Sequence, residues 1–321
     1  MKIKKTGSMA GKRRGFADFI LVLAALLLIS GCAGIQGKPE KAAAFPSPSF
    51  LPYDIGGIRP DGYQLVTILT YHDIREKPRS PMQITPQAFE EQMAYLKNNN
   101  FHVITLEDFF EFINLKHGLP EKSVVITFDD GWRSVYTRAY PVLKKYGLPA
   151  TVFIYTDFIS PYNRGALNWK ILKEMSENGI DVQVHSKTHK MGIPWKKRGE
   201  TEEDFRKRLE QELLLPKKLI KKHLGKDAKY IAYPYGQFSR ALIKAARSYG
   251  YEGGLTVVGA TVEGGAIIRK KGNPSFIDPF EINRIQILSG TSLEKFKRKL
   301  RSFKRLKVYE GQYDYLLETP L

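Results

Sequence analysis

Ser123-Val124-Val125-Ile126-Thr127-Phe128-Asp129-Asp130-Gly131 is the stretch on which the reading of this 321-residue chain turns. Val124, Val125, Ile126 and Phe128 form a short apolar run with β-branched character, the mark of a buried strand. Two adjacent carboxylates end it, and Gly131 lets the chain turn away. In barrels of parallel strands, catalytic side chains collect at the C-terminal strand ends. Neighbouring carboxylates that both stay ionised need a cation or a basic partner. Asp and Gly are also ordinary turn residues, so a plain surface turn stays open until the surroundings are read.

On the N-terminal side, Leu65 to Tyr71 (LVTILTY) reads as a strand that ends in His72-Asp73, followed by a polar loop over 74–84. Thr85-Pro86 opens a helix, Thr as N-cap and Pro at the first position, with Phe89, Met93 and Leu96 as its apolar stripe. His102 to Ile104 is a short strand, and Leu106 to Leu115 a helix with Phe109, Phe110 and Ile113 inward. On the C-terminal side, Ser134 to Tyr146 reads as a helix bent by Pro141 and stopped at Gly147. Ala150 to Tyr155 is a strand, Trp169 to Glu177 a helix stopped by Asn178-Gly179, and Asp181 to Val184 a strand ending at His185. Thr201 opens a long charged helix to about His223, with a capping-box look in Thr201 and Asp204. Tyr230 to Tyr233 is a strand leading into Pro234-Tyr235-Gly236, and Ser239 caps a helix that runs to Ser248 and ends at Gly250. Tyr251 to Val258 and Glu281 to Leu288 are further strands, and Thr291 to Phe303 is the last strong helix. Strand and helix alternate about seven times with no internal repeat, which predicts an α/β domain over 64–321 with a parallel sheet, closed or nearly closed as a barrel. Connections of this kind gather the loops at the strand C-termini on one face.

The first residues are a separate matter. A basic head (Lys2, Lys4, Lys5, Lys12, Arg13, Arg14) precedes an apolar run from Phe16 to Ile29, broken by Asp18, and then Ser30-Gly31-Cys32. That order describes a secretory signal over 1–31. The apolar run is short for a spanning helix, which needs about 20 residues. Cys32, the single cysteine, stands at the cut and resembles the lipobox of bacterial lipoproteins, which implies a lipidated first residue. An uncleaved anchor and an incidental cysteine are the competing readings. With no second cysteine the exported part forms no internal disulfide. Residues 32–63, rich in Ala, Pro, Ser and Gly from Gly34 to Pro60, read as a flexible tether. The expected address is the cell envelope, with lipid in the membrane; Ala33 after the cysteine suits an outer membrane if the cell is Gram-negative.

Of the net charge of +18, the signal holds +5 and the mature part keeps +13. Such a balance suits anionic surfaces or polymers. The basic residues are spread, and no helix-turn-helix or zinc-finger spacing appears, so nucleic acid is not the expected partner.

Three of the six histidines fall at predicted strand ends: His72, His185 and His189, in company with Asp129, Asp130 and Tyr235. Two imidazoles and a carboxylate with room for water make a metal site found in hydrolases and in non-haem iron proteins. An isolated His-x3-His pair reads as exposed or capping histidines; the acidic pair at another strand end turns that reading toward a metal.

TFDDG at 127–131, HSKTH at 185–189 and YPYG at 233–236 resemble the signature motifs of the polysaccharide deacetylase (NodB-homology) family, in order and spacing over about residues 65 to 300. The resemblance implies a distorted (β/α)7 barrel. It implies Asp130, His185 and His189 as ligands of a divalent metal, zinc first and cobalt or nickel as alternatives, and Asp129 as general base. Two departures follow. Family members carry Arg-x-Pro-Tyr at the third motif, and here Ala232 stands in the Arg place; Arg284 is the candidate replacement, with a surface ion pair as the competing reading. The family's general acid is a late histidine, and none follows His223. LTYHDI at 69–74 resembles instead the poly-N-acetylglucosamine deacetylase branch, which implies a circularly permuted barrel and His72 as general acid. Asp73 is the candidate to orient His72, and the Tyr235 backbone N–H the candidate oxyanion donor. Trp132, Trp169, Trp195 and Tyr155 are candidates for stacking on sugar rings, Trp132 foremost, although aromatic residues also simply fill cores.

The expected function is removal of N-acetyl groups from an exported N-acetylhexosamine polysaccharide of the poly-N-acetylglucosamine kind, with the polymer's export machinery as a partner. Peptidoglycan, an O-acetyl polysaccharide and a catalytically silent carbohydrate-binding lipoprotein are the alternatives.

Overall fold

The computed structural model describes residues 66–114, 116, 118–120, 122–257, 266–267 and 278–301. The expected signal over 1–31, Cys32 and the tether over 32–63 lie outside them. Strand β1 (Val66–Tyr71), β5 (Ser123–Phe128), β6 (Ala150–Ile154), β7 (Ile180–Val184), β8 (Tyr230–Ala232) and β9 (Gly253–Thr256) lie side by side in that order, all parallel. The segment after them closes the ring. Its first piece, β11 (Ile282–Asn283), pairs with β9, and its second, β12 (Ile285–Gln286), pairs with β1. The first and last strands of the barrel are therefore neighbours, the condition a circular permutation requires. Seven strand positions make up the ring, which is the expected barrel.

The distortion is visible on β5. Its edge toward β6 is shared: β4 (His102–Ile104) occupies Ser123 to Val125, and β6 meets only Thr127 and Phe128. A short β10 (Ala266–Ile267) runs antiparallel to the start of β1, and β2 (Asp73–Ile74) pairs with β3 (Gln83–Ile84) inside the stretch read as a polar loop.

Strand alternation sorts the side chains. Leu69, Tyr71, Val124, Ile126, Phe128, Val152, Ile154, Val182 and Val184 belong to the large core shared with the outer helices. Val66, Ile68, Val125, Phe153, Tyr230, Leu255 and Ile282 face inward and form a second cluster with helix α2 (Leu106–Ile113). That helix closes the ring at the strand starts, where Phe110 stacks on Tyr230 at 4.2 Å and lies against Gly253. The other helices are α1 (Pro86–Asn98), α3 (Tyr140–Tyr146), α4 (Trp169–Glu177), α5 (Glu202–Leu224), α6 (Arg240–Ser248) and α7 (Leu293–Arg301). Thr85, Thr105, Asn168, Thr201 and Ser239 each accept a backbone N–H at a helix start.

Two readings need correction. The helix expected from Ser134 does not simply bend at Pro141: Val135–Ala139 is a π-helical turn that leads into α3. Proline has no N–H and its ring crowds the carbonyl four residues back, so the wider turn relieves the clash. The strand expected over Glu281 to Leu288 is broken at Arg284, where the chain passes from β9 to β1. Among the described residues no helix is long and apolar enough to cross a membrane.

Candidate active site

The strand C-termini bring His72, Asp129, Asp130, His185 and Arg284 together. Asp129 and Arg284 are both buried, and the guanidinium forks onto the carboxylate, Nη1 to Oδ1 and Nη2 to Oδ2, each at 2.7 Å. Nη1 also donates to Thr70 Oγ1 and Thr127 Oγ1, both at 3.2 Å. Burial pushes Asp129 up; the Arg284 charge beside it, with His185 and His72, outweighs this and holds the carboxyl well below the usual carboxylate range. These are inward positions on β1, β5 and the closing segment, so only ring closure joins residues 155 apart in sequence.

Asp130 sits at φ +75°, and Gly131 after it at φ +90°, where an added Cβ would stand 2.8 Å from Ile159 Cδ1. Asp130 Oδ2 accepts from the Trp132 indole at 2.9 Å. Its Oδ1 is buried with no hydrogen-bond partner among the described residues. Oδ1 lies 3.7 Å from His185 Nε2 and 3.4 Å from His189 Nε2, and the two nitrogens are 3.1 Å apart. His185 Nδ1 meets the Ala232 carbonyl at 2.7 Å, so Nδ1 carries the proton and Nε2 keeps its lone pair. Burial pushes His185 down to about 4 against the pull of Asp129, so it is neutral near pH 7. A tetrahedral first-row ion with bonds of 2.0–2.2 Å spaces its ligands about 3.4 Å apart. The triangle has that size, and its one orphaned oxygen points into it. The residues fit a divalent metal.

His72 Nε2 stands 4.0 Å from Asp129 Oδ2, and its Nδ1 is buried without a partner among the described residues. Asp73 does not orient it. Successive strand residues face opposite ways, and the Asp73 carboxylate accepts instead from Ser134 Oγ (2.7 Å), Arg75 Nε (2.6 Å) and Gln83 Nε2 (3.0 Å).

The aromatic candidates separate. Trp132 hydrogen-bonds Asp130 and packs edge-on against Phe158, which stacks on Tyr155. The rings of Tyr155 and Tyr235 flank His189, with centroids at 5.0 and 4.7 Å. Burial, then Asp130, pushes Tyr155 up to about 12. Trp195 is exposed on the loop after His189, whereas Trp169 stacks on His223 between α4 and α5, an outer packing contact. Tyr235 is exposed, at φ +58°.

Asp130, Ser186, His189 and Tyr235 are four of the six described non-glycine residues with positive φ. Backbone held in that region is stored at functional sites. Residue-by-residue reading missed Thr70 and Thr127, although a Thr two residues before both His72 and Asp129 was a visible signal. It also missed Glu212 of α5, whose carboxylate holds the 187–188 backbone; among the charges of that helix nothing distinguishes it.

The family model for polysaccharide deacetylase matches residues 116–254, which include the DDG and HSKTH motifs and stop short of both His72 and Arg284. YxkH of Bacillus subtilis, which bears a polysaccharide deacetylase name, is 30% identical over 237 residues, 74% of this chain and 76% of YxkH. A poly-β-1,6-N-acetyl-D-glucosamine N-deacetylase of Staphylococcus aureus is 27% identical over 259 residues, 74% of this chain and 86% of that protein. The solved structure of the Streptococcus pyogenes deacetylase PplD, in complex with acetate, matches with a TM-score of 0.62 at 25% identity, covering 74% of this chain and 98% of that chain.

Proposed function

The chain belongs to the polysaccharide deacetylase family, and from that premise we propose that it is a metal-dependent N-deacetylase of an exported N-acetylhexosamine polysaccharide. One observation carries the reading: a carboxylate locked by Arg284 stands 3.9 Å from one corner of a donor triangle sized for a divalent ion. Likeness to the staphylococcal enzymes supports a poly-β-1,6-N-acetylglucosamine-like substrate.

Asp130, His185 and His189 would hold the ion, zinc first and cobalt or nickel as alternatives. Bound there, the metal supplies an acidified water and positive charge beside the acetamide oxygen. Arg284 keeps Asp129 ionised and aimed, ready to take the water's proton, which passes on to the amine instead of resting on a weak base. His72, across from Asp129, donates to the departing nitrogen, which leaves poorly as an anion. Tyr235, at the mouth beside His189, offers its backbone N–H to the developing oxyanion. Trp132 bonds the other Asp130 oxygen, Oδ2, and so fixes the carboxylate that offers Oδ1 to the metal, and Tyr155 and Tyr235 line the approach for the sugar.

A silent carbohydrate-binding role drew its support from the missing third-motif Arg. Arg284 on Asp129 removes that support. Peptidoglycan and O-acetyl polysaccharides are the alternative substrates. Residues 1–32 support export and lipid anchoring through Cys32, beside the polymer's export machinery; Cys32→Ser is expected to lose the lipid mass from the mature N-terminus.

The decisive experiment follows acetate release from a β-1,6-linked N-acetylglucosamine oligomer by the full chain in detergent, stripped by chelator and reloaded. Release is expected to return with metal and to fall about 100-fold to 10,000-fold in Asp129→Asn and in His72→Ala. Release that ignores the chelator, or no release from this oligomer or from peptidoglycan fragments, would sink the proposal.

A further inference from the structure

His189 arrives at the site from a turn that is costly to hold. Ser186 is at φ +72° and His189 at φ +54°, a region that side chains with a Cβ disfavour. The turn's own hydrogen bond, His189 N to Ser186 Oγ at 3.0 Å, secures only its ends. Its middle is secured from outside. Glu212 of α5, a buried carboxylate, accepts from Lys187 N (3.1 Å), Thr188 N (3.0 Å) and Thr188 Oγ1 (2.6 Å). One turn earlier on the same helix, Arg208 holds the chain beyond the turn. Its guanidinium donates to the Ile193 and Trp195 carbonyls at 2.9 and 2.8 Å and to Glu200 at 2.7 Å. Helix α5 is itself immobilised by buried Phe205, Leu209, Leu213 and Ile220.

We propose that Glu212 is a positioning residue for the metal centre, holding the 187–188 backbone so that His189 Nε2 completes the triangle with Asp130 and His185. The inference rests on the reading of that triangle as a metal site. The Arg208 charge one turn away favours a carboxylate here, but the three hydrogen-bond donors that satisfy it all come from the two residues between Ser186 and His189. Without it the Thr156 and Asp157 N–H groups still hold the Ser186 and Lys187 carbonyls, but nothing holds the 187–188 amides, and His189 is freer to leave the other two ligands. The ligand set then forms only when the metal supplies the ordering energy, which lowers affinity.

The test is cobalt binding to the metal-free full chain, followed by the visible absorption of the ion and by competition with a chromophoric chelator. Glu212→Ala is expected to weaken binding roughly 10-fold to 100-fold, the usual consequence of losing a partner that orients a ligand. Glu212→Gln is expected to restore most of the loss, because its carbonyl oxygen still accepts the two backbone N–H groups. Thr188→Val removes one arm only and is expected to show a smaller loss. Wild-type affinity in a folded Glu212→Ala protein would overturn the proposal, as would Glu212→Gln failing as badly as Glu212→Ala. If Glu212→Ala does not fold, Thr188→Val decides: weakened binding supports the proposal and unchanged binding overturns it. Acetate release separates this from the functional reading. Glu212-dependent cobalt binding with no glycan deacetylated would sink the function and leave the positioning role standing.

Discussion

At the strand starts, the barrel is closed by α2, with Phe109 and Phe110 packed on inward Val66, Ile68 and Tyr230. At the strand ends, the same inward rows carry Thr70 and Thr127, then His72, Asp129, His185 and Arg284. Polar groups exist at both ends and are treated differently. Near the starts, both Asp181 oxygens accept from the Gln183 amide and Oδ2 also from Thr151 Oγ1, and Gln183 Oε1 accepts from Lys229 N and Tyr230 N. At the ends, Asp130 Oδ1 and His72 Nδ1 are buried and unmet among the described residues, and four residues there stand at positive φ. The inward polar groups at one end are satisfied and pack, the unmet Thr67 hydroxyl lying on the outer face of β1; those at the other end are left incomplete, which is the state a site needs before it meets a metal and a substrate.

The sharpest way to break this contrast is Arg284→Met. Removing one partner of a buried ion pair costs about 3–5 kcal/mol, and acetate release should fall with it. The pH dependence gives the sign. Asp129 is depressed in the folded protein, so its pairing stabilises above the ordinary aspartate range and is lost only as pH falls through the lower folded value. In the variant, burial, the largest influence on Asp129, is opposed only by His185 and His72 and raises it, so acid partly restores stability. The gap between the two proteins should be widest near neutrality and narrow toward pH 4, read as urea midpoints. A gap that widens in acid would contradict the assignment.

Phe110→Ala tests the other end. It empties the contact with Tyr230 and should cost about 3–4 kcal/mol in urea unfolding, while kcat of the folded protein stays close to wild type. A matching loss of kcat would show that the two ends are not separable.

Asp181→Asn is the small effect. Burial raises Asp181 against the hydrogen bonds of Gln183. A raised carboxyl stabilises in acid and loses that contribution as pH rises through the folded value. The variant should therefore gain about 1 kcal/mol or less at pH 7.5 and nothing at pH 3, below the ordinary aspartate value. A loss at both pH values would mean that the charge itself is needed.

Much of this was legible in the chain. The apolar strands, the helix starts at Thr85, Thr201 and Ser239, and the stop at Gly147 are governed by neighbours within one turn or one pleat, and short windows of residues carry that information. The DDG, HSKTH and YPYG motifs each mark one strand end for the same reason. Closure is different. Arg284 reaches Asp129 because its segment bonds β9 on one side and β1 on the other, and Glu212 reaches the His189 turn because α5 lies against it. Asp73 turns away from His72 because the pleat sends it to Ser134. A buried charge must find its partner wherever the register of distant strands and helices brings one. The amino-acid sequence by itself determined which residues carry the chemistry and which strands present them; the tertiary structure decided which charges meet, since that depends on register summed around a closed ring and not on any local window.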